Sequence, residues 1–392
     1  MISFCTEVAY QSLNKYGEIL CGDNVEVLTP DEYTTVMVLA DGLGSGVKAS
    51  ILSTLTSKII STMIARDMSL TDCVLAIAAT LPVCSVRQIA YSTFTIIRIV
   101  RNNRAEIIQF DNPRVVLLRD GYHHEFPVTT ETIEGKKILK SELSLQEGDT
   151  FLAFSDGVEH AGVGRTLNFG WQRKDIIEYM EGLYKSEYTA HTLTGILLEQ
   201  CNEFYKGEPG DDATVCTIKV RRRMPVSLLI GPPREPEDVE KMMDLFFAAK
   251  TGKHIVCGGT TATLAAEYLH KPLNASMPDG GDPEIPPVAY IEGVDLVTEG
   301  IITINKVLSY SHEYLKGKCG YYDLKKKKDG ASQIACVLFE EATDISFYVG
   351  RAINPAHQNP ALPINFSIKM RLVQELIENL EKMGKHVRVH YF

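Results

Sequence analysis

The stretch from Val36 to Ser50, V-M-V-L-A-D-G-L-G-S-G-V-K-A-S, constrains the fold of this chain more than any other. Its leading apolar run predicts a strand that is buried on both faces. The strand is predicted to end at Asp41, and the glycines that follow predict a loop where the backbone turns sharply or approaches a ligand. A helix is predicted from about Val47 to Ile64. A carboxylate at the end of a buried strand is costly unless it is paired, and a divalent cation is its usual partner.

A carboxylate beside a glycine at a strand end recurs in three other places. The motif G-D-N at 22–24 precedes an apolar run, F-S-D-G at 154–157 follows one, and G-D-D-A-T-V at 210–215 leads into one. A single Asp-Gly pair is ordinarily a turn, and Asp211-Asp212 alone is equally consistent with a hairpin or a cap. The whole set of carboxylates therefore favours a shared cation site more than any single motif does.

Composition limits the remaining function classes. The 392 residues suffice for two domains, and the net charge of -10 argues against a general nucleic-acid-binding protein. The basic runs Arg221–Arg223 and Lys325–Lys328 are interpreted as solvated linker or loop, because neither has interleaved aromatic residues. The nine cysteines include no C-x-x-C pair, which favours buried thiols in a reducing cytosol over zinc or disulfides. Because neither a signal peptide nor an apolar run of about 20 residues is evident, we expect a cytoplasmic protein without a membrane span.

The first part of the chain combines β-rich runs with helical patterns. Residues 28–33 are interpreted as a turn. Many antiparallel strands with two pairs of helices predict an α+β sandwich, with the sheets inside and the helices outside. Strands are predicted at 2–10, 34–40, 92–100, 104–110, 115–118, 151–156 and 211–220, and helices at 47–64, 70–81, 174–184 and 191–205.

The four motifs, in this order and at these separations, resemble those of the PPM-type metal-dependent protein phosphatases. The similarity is to the bacterial branch that contains stage II sporulation protein E and the stress-response phosphatases of partner-switching pathways. It implies a PPM-phosphatase-like β-sandwich flanked by helices at residues 1–221. It also implies serine/threonine phosphatase activity on a phosphorylated bacterial regulatory protein, and a homodimer.

The resemblance implies a site for two Mn²⁺ or Mg²⁺ ions. Asp41 would bridge both ions, and the backbone carbonyl of Gly42 would complete one coordination shell. Asp156 and Asp211 would hold the first ion, and Asp23 would help to hold the second. The catalytic residues implied in this way are Asp41, Asp156 and Asp211.

The chemistry of these residues agrees with the implied site. Hard oxygen ligands suit Mg²⁺ or Mn²⁺, and the acidic cluster lacks the nearby His and Cys that zinc would favour. Two ions about 3.5–4 Å apart can share a water, lower its pKa and present hydroxide in line with a phosphoryl group, which predicts direct hydrolysis without a phosphoenzyme. Asp212 takes a position where many relatives have Asn and is predicted to support the ligands. His160 is interpreted as an exposed loop residue or a general acid.

The pattern changes after Val220 and predicts a second, smaller three-layer α/β domain at 225–392, with a partly parallel sheet. A loop of Gly258, Gly259, Thr260 and Thr261 before a helix is a candidate site for a small anionic ligand. A glycine turn that packs the helix on the sheet is an equally good interpretation. Strands are predicted at 226–230, 254–257, 288–291 or 294–297, 345–349 and 386–391, and helices at 237–251, 262–269, 301–315 and 367–383.

A second class of function stays open at this point, namely a non-catalytic phosphoprotein-binding or sensor module built on the same fold. The presence of all four aspartates argues against it, because a degenerate site would have lost at least one of them. Metal-dependent turnover of an aryl phosphate would separate the two classes.

Overall fold

The computed structural model describes residues 4–69, 71–73, 75–76, 92–133, 135–275, 288–352 and 365–392. Internal contacts divide the chain into an N-terminal unit, Met1–Arg222, and a C-terminal unit, Arg223–Phe392. The helix predicted at 70–81 falls mostly outside the described residues. Within the described residues, no helix combines the length and the apolar composition that a membrane crossing needs.

The N-terminal unit contains two antiparallel sheets. Their strand orders are β1-β11-β10-β6-β7 and β2-β3-β4-β5-β9-β8. The strands are β1 (Phe4–Leu13), β2 (Asp23–Asp31), β3 (Thr34–Gly42), β4 (Ser92–Val100), β5 (Arg104–Phe110), β6 (Val116–Arg119), β7 (Tyr122–His123), β8 (Thr129–Ile133), β9 (Lys136–Ser144), β10 (Thr150–Phe154) and β11 (Ala213–Arg222). The helices are α1 (Gly46–Ala65), α2 (Asp156–Glu159), α3 (Arg173–Leu183) and α4 (Ala190–Tyr205).

Strand β3 is buried on both faces because its apolar run is continuous. Met37 and Leu39 share a buried cluster with apolar residues of β6, β10 and β11 in the other sheet. Val36 and Val38 belong to a second cluster, on the opposite face, with apolar residues of α1. The predicted α+β sandwich with outer helices is therefore confirmed.

Several strand boundaries differ from the predictions. The turn predicted at 28–33 is confirmed only at residues 32 and 33, because β2 continues to Asp31, with an irregularity in its pairing with β3 after Leu28. The strand predicted to end at Asp156 ends at Phe154, and Asp156 begins α2. The strand predicted to start at Asp211 starts at Ala213 instead. Asp211 and the residue after it therefore lie in the loop that leads into β11.

The basic run Arg221–Arg223 is not a solvated linker, which corrects the interpretation from composition. Arg221 belongs to β11 and forms an ion pair of 3.2 Å with the buried Glu7 of β1. A Glu7 oxygen also accepts a hydrogen bond of 3.0 Å from the N–H of Ala190, the first residue of α4. Composition could not reveal these contacts because the partners are far apart in sequence.

The C-terminal unit contains one mixed sheet, with the strand order β14-β15-β16-β13-β12-β17-β18. The five strands from β16 to β18 are parallel, and the two short strands at the other edge are antiparallel. The strands are β12 (Pro225–Ile230), β13 (Lys253–Cys257), β14 (Asn274–Ala275), β15 (Ala289–Tyr290), β16 (Leu296–Thr298), β17 (Asp344–Val349) and β18 (His386–Tyr391).

Helices cover both faces of this sheet. The helices are α5 (Asp238–Phe247), α6 (Gly259–Leu269), α7 (Ile301–Leu315), α8 (Tyr321–Lys326), α9 (Gly330–Ala335) and α10 (Asn365–Lys382), with a π-helix at Cys336–Glu341. Apolar residues of α5 and α6 pack on one face, and those of α7, α9 and α10 pack on the other. The predicted three-layer α/β architecture is therefore confirmed. Lys325 and Lys326 end helix α8, although the sequence indicated linker or loop.

Candidate metal centre

Strand ends place the predicted carboxylates at one edge of the sandwich. Asp23 begins β2 and lies directly opposite Asp41 in the antiparallel register with β3. Asp156 begins α2 just after β10, and Asp211 lies just before β11, the strand that pairs with β10. Segments that are distant in sequence therefore converge where strands of both sheets end.

Ser155 connects the two sheets beneath these carboxylates. Its buried hydroxyl donates a hydrogen bond of 2.7 Å to Oδ2 of Asp23 and accepts one of 2.9 Å from the N–H of Thr214. The other oxygen of Asp23, Oδ1, is buried and has no hydrogen-bond partner within the described residues. Protein groups therefore fix one oxygen of Asp23, and a bound cation would satisfy the other.

Asp212 has a similar arrangement on the β11 side of the site. Its carboxylate is buried, and Oδ1 accepts a hydrogen bond of 3.0 Å from the N–H of Lys15. Oδ2 is buried and has no partner in the part of the chain that the structure describes. The supporting role predicted for Asp212 is consistent with this placement and stays a prediction.

The glycines after Asp41 and Asp156 are required by close packing against other parts of the chain. A Cβ at Gly42 would lie 2.2 Å from the carbonyl oxygen of Ala49 in α1. A Cβ at Gly157 would lie 2.0 Å from the carbonyl oxygen of Asp212. Neither glycine has a positive φ. The sharp turn predicted directly after Asp41 therefore does not explain why position 42 is a glycine. These contacts bring α1 and the loop before β11 against the site.

Burial and mutual repulsion raise the pKa of the clustered carboxyls. Burial is the largest cause for Asp23 and Asp41, whose pKa values lie well above their usual range. The pKa of Asp41 is raised further by the charges of Asp23, Asp156 and Asp211. Burial and the charge of Asp156 also raise the pKa of Asp211. A bound divalent cation would offset the repulsion, and the oxygen donors fit Mn²⁺ or Mg²⁺.

The structure adds a histidine to the cluster. Helix α2 is a single turn, so Asp156 and His160 lie on the same side of it. His160 Nδ1 is 3.9 Å from Asp156 Oδ2, and the candidate ligand atoms of Asp156, His160 and Asp211 all lie within 4.8 Å of one another. The prediction that no histidine lies near the acidic cluster is therefore wrong. The four-residue spacing of Asp156 and His160 indicates this proximity only if residues 156–160 are already known to be helical.

The raised pKa values predict that the metal-free chain loses stability as the pH rises. A carboxyl group of the unfolded chain ionises near pH 4, whereas Asp23 and Asp41 keep their protons to higher pH in the fold. The folded state binds more protons over that interval, so the free energy of unfolding decreases with pH. In chelator, we expect a lower unfolding temperature at about pH 8 than at about pH 6, and a smaller difference in Asp41→Asn. The same pH dependence in both proteins would contradict this interpretation.

Ser155→Ala is expected to weaken both the fold and the metal site. The substitution leaves Asp23 Oδ2 and the Thr214 N–H without their bonds to the Ser155 hydroxyl, which costs about 1–3 kcal/mol. Loss of support for a metal ligand lowers metal affinity by about 10–100-fold. The matched control is Ser61→Ala, because the buried hydroxyl of Ser61 donates to the Lys58 carbonyl within α1 and to no other described group. Calorimetric titration with Mn²⁺ and urea unfolding measure the two effects, and equal behaviour of the two variants would refute the prediction.

The candidate anion site of the C-terminal unit lies at the start of α6. This helix begins at Gly259, earlier than predicted, so Thr260 and Thr261 belong to its first turn. Thr261 is buried and Thr260 is exposed. The N–H of Gly258 donates a hydrogen bond of 2.8 Å to the carbonyl of Thr298. Anion binding here stays a prediction, beside the interpretation as a glycine turn that packs the helix on the sheet.

Comparison with known proteins shows what the N-terminal unit is similar to. Residues 31–221 match the family model of stage II sporulation protein E, which confirms the resemblance inferred from the motifs. No curated protein matches the chain.

Solved structures also match. The PP2C phosphatase domain with a fragment of the regulatory domain of the cell-fate determinant SpoIIE from Bacillus subtilis has 16% identity and a TM-score of 0.47. That match covers 56% of this chain and 64% of the SpoIIE chain, so this chain spans less than two thirds of the length of that relative. The RsbU and RsbW domains of a Mycobacterium tuberculosis protein have 15% identity and a TM-score of 0.47, over 63% and 69% of the two chains. The catalytic domain of the phosphatase PstP, solved with two manganese ions, has 17% identity and a TM-score of 0.38, over 56% and 99%.

Proposed function

Because residues 31–221 carry a domain of the stage II sporulation protein E family, we propose that the chain is a metal-dependent protein serine/threonine phosphatase. The observation that carries the proposal is the convergence of four aspartates at one edge of the sandwich, with a buried oxygen of Asp23 unpaired within the described residues. The proposed substrate is phosphoserine or phosphothreonine on a bacterial regulatory protein in the cytoplasm.

The proposed site holds two Mn²⁺ or Mg²⁺ ions. Asp41 would be shared by both ions, and the carbonyl of Gly42 would add a ligand to one of them. Asp156 and Asp211 would hold the first ion, and Asp23 would help to hold the second. Bound ions would supply charge neutralisation for the phosphoryl oxygens and lower the pKa of a water that they share.

The chain's own residues hold the carboxylates in place before a substrate arrives. The register of β2 with β3 places Asp23 opposite Asp41, and the Ser155 hydroxyl fixes the orientation of the Asp23 carboxylate. The bond from the Lys15 N–H to Asp212 ties the loop that carries Asp211 to the N-terminal segment. Such preorganisation removes the reorganisation that free carboxylates would undergo when they bind ions.

The exposure of the site suits a substrate carried on a protein surface. The side chain of Asp23 is buried, whereas those of Asp156 and His160 are 50% and 58% exposed. The site therefore has a closed inner side and an open outer side. A phosphorylated side chain that projects from a folded partner can approach from the open side.

The competing function is a non-catalytic phosphoprotein-binding or sensor module on the same fold. Turnover of an aryl phosphate by the full chain, with Mn²⁺ and with chelator, separates the two. We expect phosphate release that depends on Mn²⁺ and stops in chelator. A folded chain that binds Mn²⁺ and releases no phosphate would favour the binding module. The homodimer and the anionic ligand of the C-terminal unit stay predictions.

A further inference from the structure

His160 lies beside two of the proposed ligands of the first ion, Asp156 and Asp211. Its N–H donates a hydrogen bond of 2.9 Å to the carbonyl of Asp156, which fixes the backbone at the end of α2. Its ring nitrogen Nδ1 is 3.9 Å from Asp156 Oδ2, and a ligand atom of Asp211 lies within 4.8 Å of both side chains. Two ligands at about 2.0–2.2 Å from one ion are separated by about 3 Å when adjacent and about 4.3 Å when opposite. The separations among these three groups are therefore close to those of ligands that share one ion.

We propose that His160 is a ligand of the first metal ion, so that this site combines one imidazole nitrogen with the carboxylates of Asp156 and Asp211. The inference rests on the proposed function, because that function supplies the ion. A separate observation supports a cation beside this cluster, since Oδ1 of Asp23, which is assigned to the second ion, is buried and without a partner in the described residues. Asp23 itself is only 6% exposed, and its charge interacts with that of Asp156.

The geometry favours a ligand over the general acid considered from the sequence. A general acid must face the leaving oxygen of the substrate. Among the residues that the structure describes, the His160 ring instead pairs with the carboxylate of Asp156, a proposed ligand. The ring is more than half exposed, so it can turn toward an ion without disturbing the core.

An imidazole ligand makes the site selective among divalent ions. Imidazole nitrogen binds first-row transition ions, Mn²⁺ the most weakly among them, whereas Mg²⁺ prefers oxygen ligands and keeps several waters. We therefore expect the chain to bind Mn²⁺ more tightly than Mg²⁺. His160→Gln should weaken Mn²⁺ binding by about tenfold or more and change Mg²⁺ binding much less.

Pulsed electron paramagnetic resonance of the Mn²⁺-loaded full chain tests the inference directly, because it detects a coordinated ¹⁴N nucleus without any turnover. Calorimetric titrations with Mn²⁺ and Mg²⁺ accompany it. The matched control is His123→Gln, since the His123 ring pairs with Glu125 at 3.6 Å and with none of the proposed ligands. We expect the nitrogen signal in the wild type and in His123→Gln, and its loss in His160→Gln.

Absence of the nitrogen signal in the wild type would overturn the inference, even if His160→Gln failed to fold. An unchanged signal in a folded His160→Gln protein would overturn it as well. Hydrolysis without nitrogen coordination would refute the inference and leave the phosphatase standing. Nitrogen coordination without hydrolysis would refute the phosphatase and support the inference. A wild-type chain that binds no Mn²⁺ would refute both.

Discussion

Asp41→Asn is expected to abolish Mn²⁺-dependent phosphate release and to weaken Mn²⁺ binding by at least about a hundredfold. That factor is the upper end of the loss in metal affinity that follows removal of a residue which only supports a ligand. Asp41 lies opposite Asp23, and its charge interacts with those of Asp23, Asp156 and Asp211. An amide keeps the size of the side chain but supplies one neutral oxygen where the proposed bridge needs two charged ones. Phosphate release and calorimetric titration measure the two effects.

The matched control for this substitution is Asp120→Asn. Asp120 is exposed and has φ of 50°, a conformation that asparagine adopts readily. It follows β6, which pairs with the start of β10, whereas Asp156 follows the end of β10. We expect wild-type activity from Asp120→Asn. An Asp41→Asn protein as active as this control would refute the role of Asp41.

Gly157→Ala is expected to destabilise the N-terminal unit by about 1–3 kcal/mol or more, as overpacking of a dense interior does. The added Cβ would lie 2.0 Å from the carbonyl oxygen of Asp212 and 3.2 Å from Cα of Ala213. Both are backbone atoms, so the loop before β11 would have to move, and Asp211 would move with it. Urea unfolding and Mn²⁺ titration should therefore both change.

Gly195→Ala is the control for Gly157→Ala, and it is expected to raise the free energy of unfolding instead of lowering it. Gly195 lies within α4, and no atom of the described residues outside its own helix lies within 4 Å of a Cβ at this position. Alanine there should stabilise the helix by about 0.5–1 kcal/mol. Equal changes in the free energy of unfolding for the two variants would contradict the close-packing account of Gly157.

Sequence patterns predicted those strands and helices whose apolar pattern is local and uninterrupted. The apolar run before Asp41 indicated a strand buried on both faces, and β3 packs against the other sheet on one side and α1 on the other. The repeated Asp-Gly motifs indicated the candidate ligands because each follows or precedes an apolar strand. Helices of six residues, such as α8 and α9, escaped prediction because they span less than two turns of the helical period.

Features that depend on contacts between distant segments could not be predicted. Glu7 and Arg221 lie near the two sequence ends of the N-terminal unit, and only the fold brings them together as an ion pair. From the sequence alone, the basic run that contains Arg221 therefore indicated a linker. The proximity of His160 to Asp211 depends on the pairing of β10 with β11 and on a single helical turn. The role of Gly157 depends on the carbonyl of Asp212, which only the fold brings near.

The most direct test of the central claim is the release of phosphate from a phosphoserine peptide by the full chain, with Mn²⁺ and with chelator. The four-aspartate site predicts Mn²⁺-dependent release that chelator and Asp41→Asn both abolish and that Asp120→Asn leaves intact. Release that persists in chelator, or in Asp41→Asn, would contradict a metal-dependent phosphatase built on these residues.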